Sequence, residues 1–148
     1  MDTFAERIAH TLKEDEGSVT NTSDKHIPYR CSENKLTLGY GRLVDPDVAG
    51  SGITEDEAMY LLTNDITNTT NELAKNFKWW WDMPQDVQEG MIYMCFQLGL
   101  PSFMKFKNML KHLEEENFYQ AAEECLDSKW ARQTPNRAKR VANLFKLV

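Results

Sequence analysis

No stretch of this 148-residue chain is long and apolar enough to span a bilayer, so a helical membrane protein is excluded. Cysteine is scarce, with only Cys31, Cys95 and Cys125. An odd number at wide spacing, without a Cys-x-x-Cys pair, is not a disulfide framework. Cys95 and Cys125 lie among apolar residues and are expected to be buried thiols, whereas Cys31 has polar neighbours. His10, His26 and His112 are scattered, so no zinc site and no other metal site is expected. The N-terminal residues lack the basic start and apolar core of an export leader, and the chain is expected to remain in the cytoplasm where it is made. Internal repeats and low-complexity linkers are missing too. Acid is absent from residues 128–148, which carry Lys129, Arg132, Arg137, Lys139, Arg140 and Lys146. The net charge is −6 and argues against general nucleic-acid binding. The basic segment suits either an anionic partner or a solvated helix face.

What is present can fold. Hydrophobic residues make up 41% of the chain, enough for a core in one domain or two merged lobes. Phe4, Ile8 and Leu12 recur every four residues, which predicts a helix over 3–16. Thr3 and Glu6 have the spacing of a capping box, and Gly17 is a natural stop. Residues 18–28 are polar and loop-like. Tyr29–Cys31 and Leu36–Gly41 predict two strands joined by residues 32–35, a hairpin. Residues 44–53, with Pro46, Gly50 and Gly52, predict a loop.

Thr54 and Glu57 supply a second capping box. The stripe from Ala58 through Leu62, Ile66 and Leu73 to Phe77 predicts a long helix over about 54–78, ended by Trp79–Trp80–Trp81. Beyond Pro84 every segment has helical spacing. Val87 to Leu98 form one helix, stopped by Gly99 and Pro101; Phe103 to Leu113 form the next; Phe118 to Leu126 form a third. Thr134 followed by Pro135 starts the last, with proline at the first helical position. The fold class expected is α+β and mostly α: a small lobe (about 17–56) with a β-hairpin, and a helical lobe (about 84–148 plus helix 3–16), joined by the long helix. A cleft between two such lobes is a natural ligand site.

Glu16 continues the 4–8–12 series, so it is expected on the buried stripe at the end of the first helix. Desolvation and the negative end of the helix dipole both disfavour a carboxylate there. A carboxyl group kept protonated is what a glycosidase needs as general acid. The alternative is a structural carboxylate tied to a buried arginine. Cys31 can be a nucleophile, can help hold a water, or can be an ordinary surface thiol. Thr37 joins it only if the hairpin register turns both side chains the same way. Trp79–Trp81 are either a sugar-stacking platform or filler between lobes.

The series Glu16, Cys31, Leu36–Thr37–Leu38–Gly39–Tyr40–Gly41 resembles the phage lysozyme family, glycoside hydrolase family 24. That family carries a glutamate at the end of its first helix, an Asp or Cys on the hairpin, and a threonine six residues later before Gly-x-Gly. Ile53–Ala58 resembles the start of the family's inter-lobe helix, and Phe96–Gln97–Leu98–Gly99 a segment lining its cleft. Trp130 with Gln133–Val141 is similar to the T-even phage branch.

The resemblance implies a lysozyme-like fold over residues 1–148 and a muramidase that acts on bacterial peptidoglycan. Glu16 is then the proton donor, Cys31 and Thr37 activate or place the nucleophile, and Phe96, Gln97 and Arg137 bind substrate, with Arg137 near Glu16. It implies no cofactor, no nucleic-acid partner, no membrane insertion, and a monomer acting after another factor opens the host membrane. Three departures stand out: Cys31 replaces the common aspartate, residues 18–27 lengthen the stretch before the hairpin, and Arg42 occupies the place of a histidine and can form an ion pair. A lytic transglycosylase, which forms a 1,6-anhydro end without adding water, and a non-catalytic wall-binding protein are the rival readings.

Overall fold

A computed structural model describes residues 3–148. The chain divides into two compact units, Met1–Ala58 and Met59–Val148. The first unit opens with helix α1 (Phe4–Glu16). Its capping box is formed: the Thr3 hydroxyl accepts from the Glu6 backbone, and the Glu6 carboxylate accepts from the Thr3 backbone. Gly17 ends the helix with a φ of +64°, in the left-handed region that suits glycine.

Strands β1 (Tyr29–Arg30), β2 (Leu36–Leu38) and β3 (Arg42–Leu43) follow and form one antiparallel sheet in the order β1-β2-β3. The third strand corrects the expectation of a two-stranded hairpin. Residues 39–41 do not prolong β2. Gly39 (φ +64°) and Gly41 (φ +84°) take left-handed backbone, and the chain reverses into β3. The stretch before the sheet is less loop-like than its composition suggests. Thr20 bridges His26, and the Asn21 side chain accepts from the backbone of Ser23 and Lys25.

Among the described residues, the first unit buries only Thr37 and Asp45. This overturns the expectation for α1: none of its side chains is buried, and Phe4, Ile8, Leu12 and Glu16 are all exposed. Period-four spacing marks a face that can be covered. One helix and three short strands do not supply the cover.

Helix α2 (Glu55–Asn76) starts at the second capping box, with Thr54 and Glu57 exchanging side-chain and backbone hydrogen bonds. The chain then passes through a tight helical turn at Trp80–Asp82 into α3 (Gln85–Leu98). Helix α3 stops at Leu98 with Gly99 as its cap, as expected, and Pro101 sits in the first turn of a new short helix, α4 (Leu100–Phe103), where a missing N–H costs nothing. Helices α5 (Lys107–Glu114), α6 (Phe118–Leu126), α7 (Lys129–Gln133) and α8 (Pro135–Lys146) complete the second unit. Its core runs from Leu73 to Phe145 and contains Trp80, Val87, Met91, Phe103 and Leu113. Cys95 and Cys125 are buried in it as free thiols. Burial pushes Cys95 up to about 11 and Cys125 up to about 12, as desolvation of a thiolate requires. Among the described residues, no helix is long and apolar enough to cross a membrane.

Candidate active site

Glu16 is the last residue of α1, and its carboxyl group lies against the β2–β3 turn. A Cβ placed on Gly41 would come within 3.1 Å of Glu16 Oε2 and 3.3 Å of Cδ. Glycine is required there twice over, by this close approach and by its positive φ. The Gly-x-Gly pattern around Tyr40 thus brings bare backbone up to a carboxyl group.

The sheet register answers the question left open by spacing. Tyr29 pairs with Thr37 and Arg30 with Leu36, and the Cys31 N–H bonds to the Lys35 carbonyl at 3.0 Å. Alternation along the strands then turns Tyr29, Cys31 and Thr37 to one face. Asn34, at φ +59°, makes the reversal between β1 and β2. It leaves the Lys35 and Glu33 N–H groups directed at the Cys31 sulfur, and these, Lys35 first, hold the thiol below the usual cysteine range. The Thr37 hydroxyl adds to this, while partial burial and the Glu33 carboxylate oppose it. Hydrogen bonds to the charged form are what lower a pKa in this way.

Thr37 is buried, and its Oγ1 donates to the Lys35 carbonyl at 2.9 Å. The Cys31 sulfur and that carbonyl therefore compete for one proton. When the carbonyl holds it, the Thr37 lone pairs are left to accept.

Two acids hold the sheet in place: Asp45, which the sequence pattern does not mark as a site residue, and Glu57, which it marks only as a helix cap. Asp45 is buried and accepts from the backbone of Leu36 (2.9 Å) and Asp47 (2.9 Å) and from Arg30 (3.2 Å). The backbone donors at Leu36 and Asp47 keep its carboxyl below the usual carboxylate range. The Asp-Pro-Asp sequence carried a signal for this, since aspartate readily bonds the N–H two residues on. Glu57 chelates Arg42, Nη1 lying 2.8 Å from Oε1 and 2.6 Å from Oε2. Its carboxyl is lowered to about 2, first by Arg42 and then by Thr54. The ion pair expected of Arg42 is present.

The second unit holds the other candidates. A cavity of about 730 Å³ is lined by residues including Leu62, Ile66, Ile92, Phe96, Arg137 and Arg140. It brings Phe96 and Arg137 together, and Phe96 is 43% exposed. Gln97 is not part of it. Its Oε1 accepts from Trp130 Nε1 at 2.9 Å, which ties α3 to α7. The three tryptophans have separate surroundings: Trp80 is in the core, Trp79 packs on Phe77, and Trp81 is 76% exposed. Among the described residues, no cluster of three or more His, Cys, Asp or Glu is placed to hold a metal ion.

Comparison with known proteins adds an independent line. The family model described as phage lysozyme matches residues 21–146. The chain is 31% identical over 99 residues to probable T4-type lysozyme 1 of Dictyostelium discoideum, covering 63% of this chain and 56% of that protein. It is 25% identical over 133 residues to probable T4-type lysozyme 2 of the same organism, covering 86% of this chain and 75% of that protein. The alignment thus spans little more than half of the first relative.

Proposed function

Because the chain belongs to the phage lysozyme family, we propose that it is a muramidase, hydrolysing the β-1,4 bond between N-acetylmuramic acid and N-acetylglucosamine in peptidoglycan. The observation that carries this reading is the first unit's chemistry. A carboxyl group rests on the bare backbone of Gly41, and a hydrogen-bonded thiol shares one sheet face with a buried threonine hydroxyl.

In the reaction, protonated Glu16 gives its proton to the glycosidic oxygen as the bond from that oxygen to the muramic C1 breaks. Water forms the new bond to C1. Thr37 Oγ1, which donates its hydrogen bond to the Lys35 carbonyl, accepts a hydrogen bond from that water and orients it. The water's proton passes to the Cys31 thiolate, which the Lys35 and Glu33 N–H groups stabilise. Exchange with solvent then returns a proton to Glu16 and removes one from Cys31.

Phe96 offers an exposed ring to a sugar face, and Arg137 a cation to the acidic groups of the substrate. Gln97 contributes through Trp130. On this reading the whole chain is one lysozyme domain of the T-even branch, which serves host lysis once the membrane is opened. The C-terminal block from Trp130 to Val141 supports the branch.

The test is clearance of a peptidoglycan suspension. The unmodified chain is expected to clear it, and Glu16→Gln to leave it turbid. Equal rates for the two would end the proposal.

A further inference from the structure

The β2–β3 turn under Glu16 consists of Gly39, Tyr40 and Gly41, and both glycines have left-handed backbone. The Tyr40 ring is about half exposed; it packs edge-on against His26 at 5.0 Å, with Lys13 Nζ 5.4 Å from its centre, and Leu38 pairs with Arg42 at the base of the turn. Neither ring contact touches Gly41. On one side the Tyr29 hydroxyl donates to the Gly39 carbonyl at 3.4 Å, a long bond. On the other side stands Arg42, whose side chain is fixed chiefly by Glu57 and also reaches Gly52 through an equally long bond. Nη1 chelates Glu57 in the first turn of α2 and donates to the Gly52 carbonyl at 3.4 Å. Gly52 in turn donates its N–H to the Leu43 carbonyl at 3.0 Å, closing the loop behind β3. Glu57 is pinned as well, because its Oε1 caps the Thr54 N–H at 3.0 Å.

We propose that the Arg42–Glu57 ion pair is a positioning device for the Glu16 carboxyl group. It anchors β3 to the start of α2 and so sets where Gly41, the surface on which Glu16 rests, can lie. Without it, β3 and the turn are held by the Leu38–Arg42 pairing and the Tyr40 contacts alone, Gly41 can move relative to Glu16, and the carboxyl group loses part of its backing. The catalytic part of this inference rests on the reading of Glu16 as the acid.

The geometry can be tested without turnover. In the nuclear Overhauser spectrum of the full chain, contact between the Glu16 Cγ protons and the Gly41 Cα protons is expected. It should weaken severalfold in Arg42→Ala and recover largely in Arg42→Lys, which keeps a cation for the Glu57 carboxylate that Nη1 alone engages in the unmodified chain. Glu57→Gln keeps an acceptor for Thr54 and serves as a second variant if Arg42→Ala does not fold.

In the muropeptide-release assay, kcat should fall about tenfold in Arg42→Ala with KM little changed, the size of effect that a small misplacement of a reacting group produces. A merely structural pair would lower the melting temperature and leave both readouts unchanged per folded molecule, and that result would overturn the proposal. Failure of the muramidase reading looks different. The unmodified chain would show no turnover, and the Overhauser contact alone would then decide the positioning claim.

Discussion

Gly90 stands in α3 against the aromatic ring of Phe145 on α8, and Gly90→Ala asks how firmly the second unit is packed. An added Cβ would lie 2.7 Å from Phe145 Cε1 and 3.3 Å from Cδ1. No carbon pair tolerates the shorter distance, so the ring or the helix must move. Phe145 is fully buried, and a ring enclosed on all sides cannot swing aside cheaply. Overpacking of this kind costs about 1–3 kcal/mol, and the rigid ring puts this case at the upper end. Replacing a helical glycine by alanine returns about 1 kcal/mol. The net is a loss of about 1–2 kcal/mol, or roughly 3–6 °C in melting temperature for a chain of this size. Thermal melting followed by circular dichroism measures it. Phe145→Leu supplies the control, since removing the ring should turn Gly90→Ala from destabilising to neutral or better. A melting temperature that rises in Gly90→Ala alone would refute the packing of α3 on α8 described above.

Iodoacetamide should modify Cys31 alone in the folded chain, because burial keeps the thiols of Cys95 and Cys125 protonated at about 11 and 12. The Cys31 rate should climb with pH and reach half its plateau at a lower pH than that of an unperturbed cysteine, since a lowered pKa gives thiolate at lower pH; peptide mass spectrometry reads both outcomes, and labelling of all three sites would count against them. Clearance of peptidoglycan should fall in step with modification, survive Cys31→Asp and be lost in Cys31→Ala. Gln97→Leu should cost about 1–3 kcal/mol in urea unfolding by stranding the buried Trp130 N–H, while Gln97→Glu, which keeps the acceptor, should cost far less.

The local features could be read from the chain. Both capping boxes, the stop at Gly17 and the start at Pro135 depend on residues within a turn of one another, and all four are present. The third strand goes unannounced because Gly39 and Gly41 permit a reversal inside what the pattern presents as one strand, Leu36–Gly41, and leave the two residues of β3 beyond it. The exposed stripe on α1 shows a different limit. Periodicity identifies which side chains share a face, not what covers that face.

Register set the limit at the site. Cys31 and Thr37 were nameable from their spacing, but whether they share a face depended on the pairing of Tyr29 with Thr37. The partner of Arg42 was invisible for a similar reason. Glu57 lies fifteen residues away, brought close only by the loop that Asp45 and Gly52 close. Gln97 was expected to bind substrate, and the structure gives it a bond to Trp130, thirty-three residues further along.

The central claim concerns the fate of the glycosidic bond, and the products record it. Peptidoglycan digested with the purified chain should release muropeptides with reducing N-acetylmuramic acid ends, each carrying the added water, in mass spectra that Glu16→Gln leaves blank. Fragments with 1,6-anhydro ends, or equal release by the glutamine variant, would contradict the account.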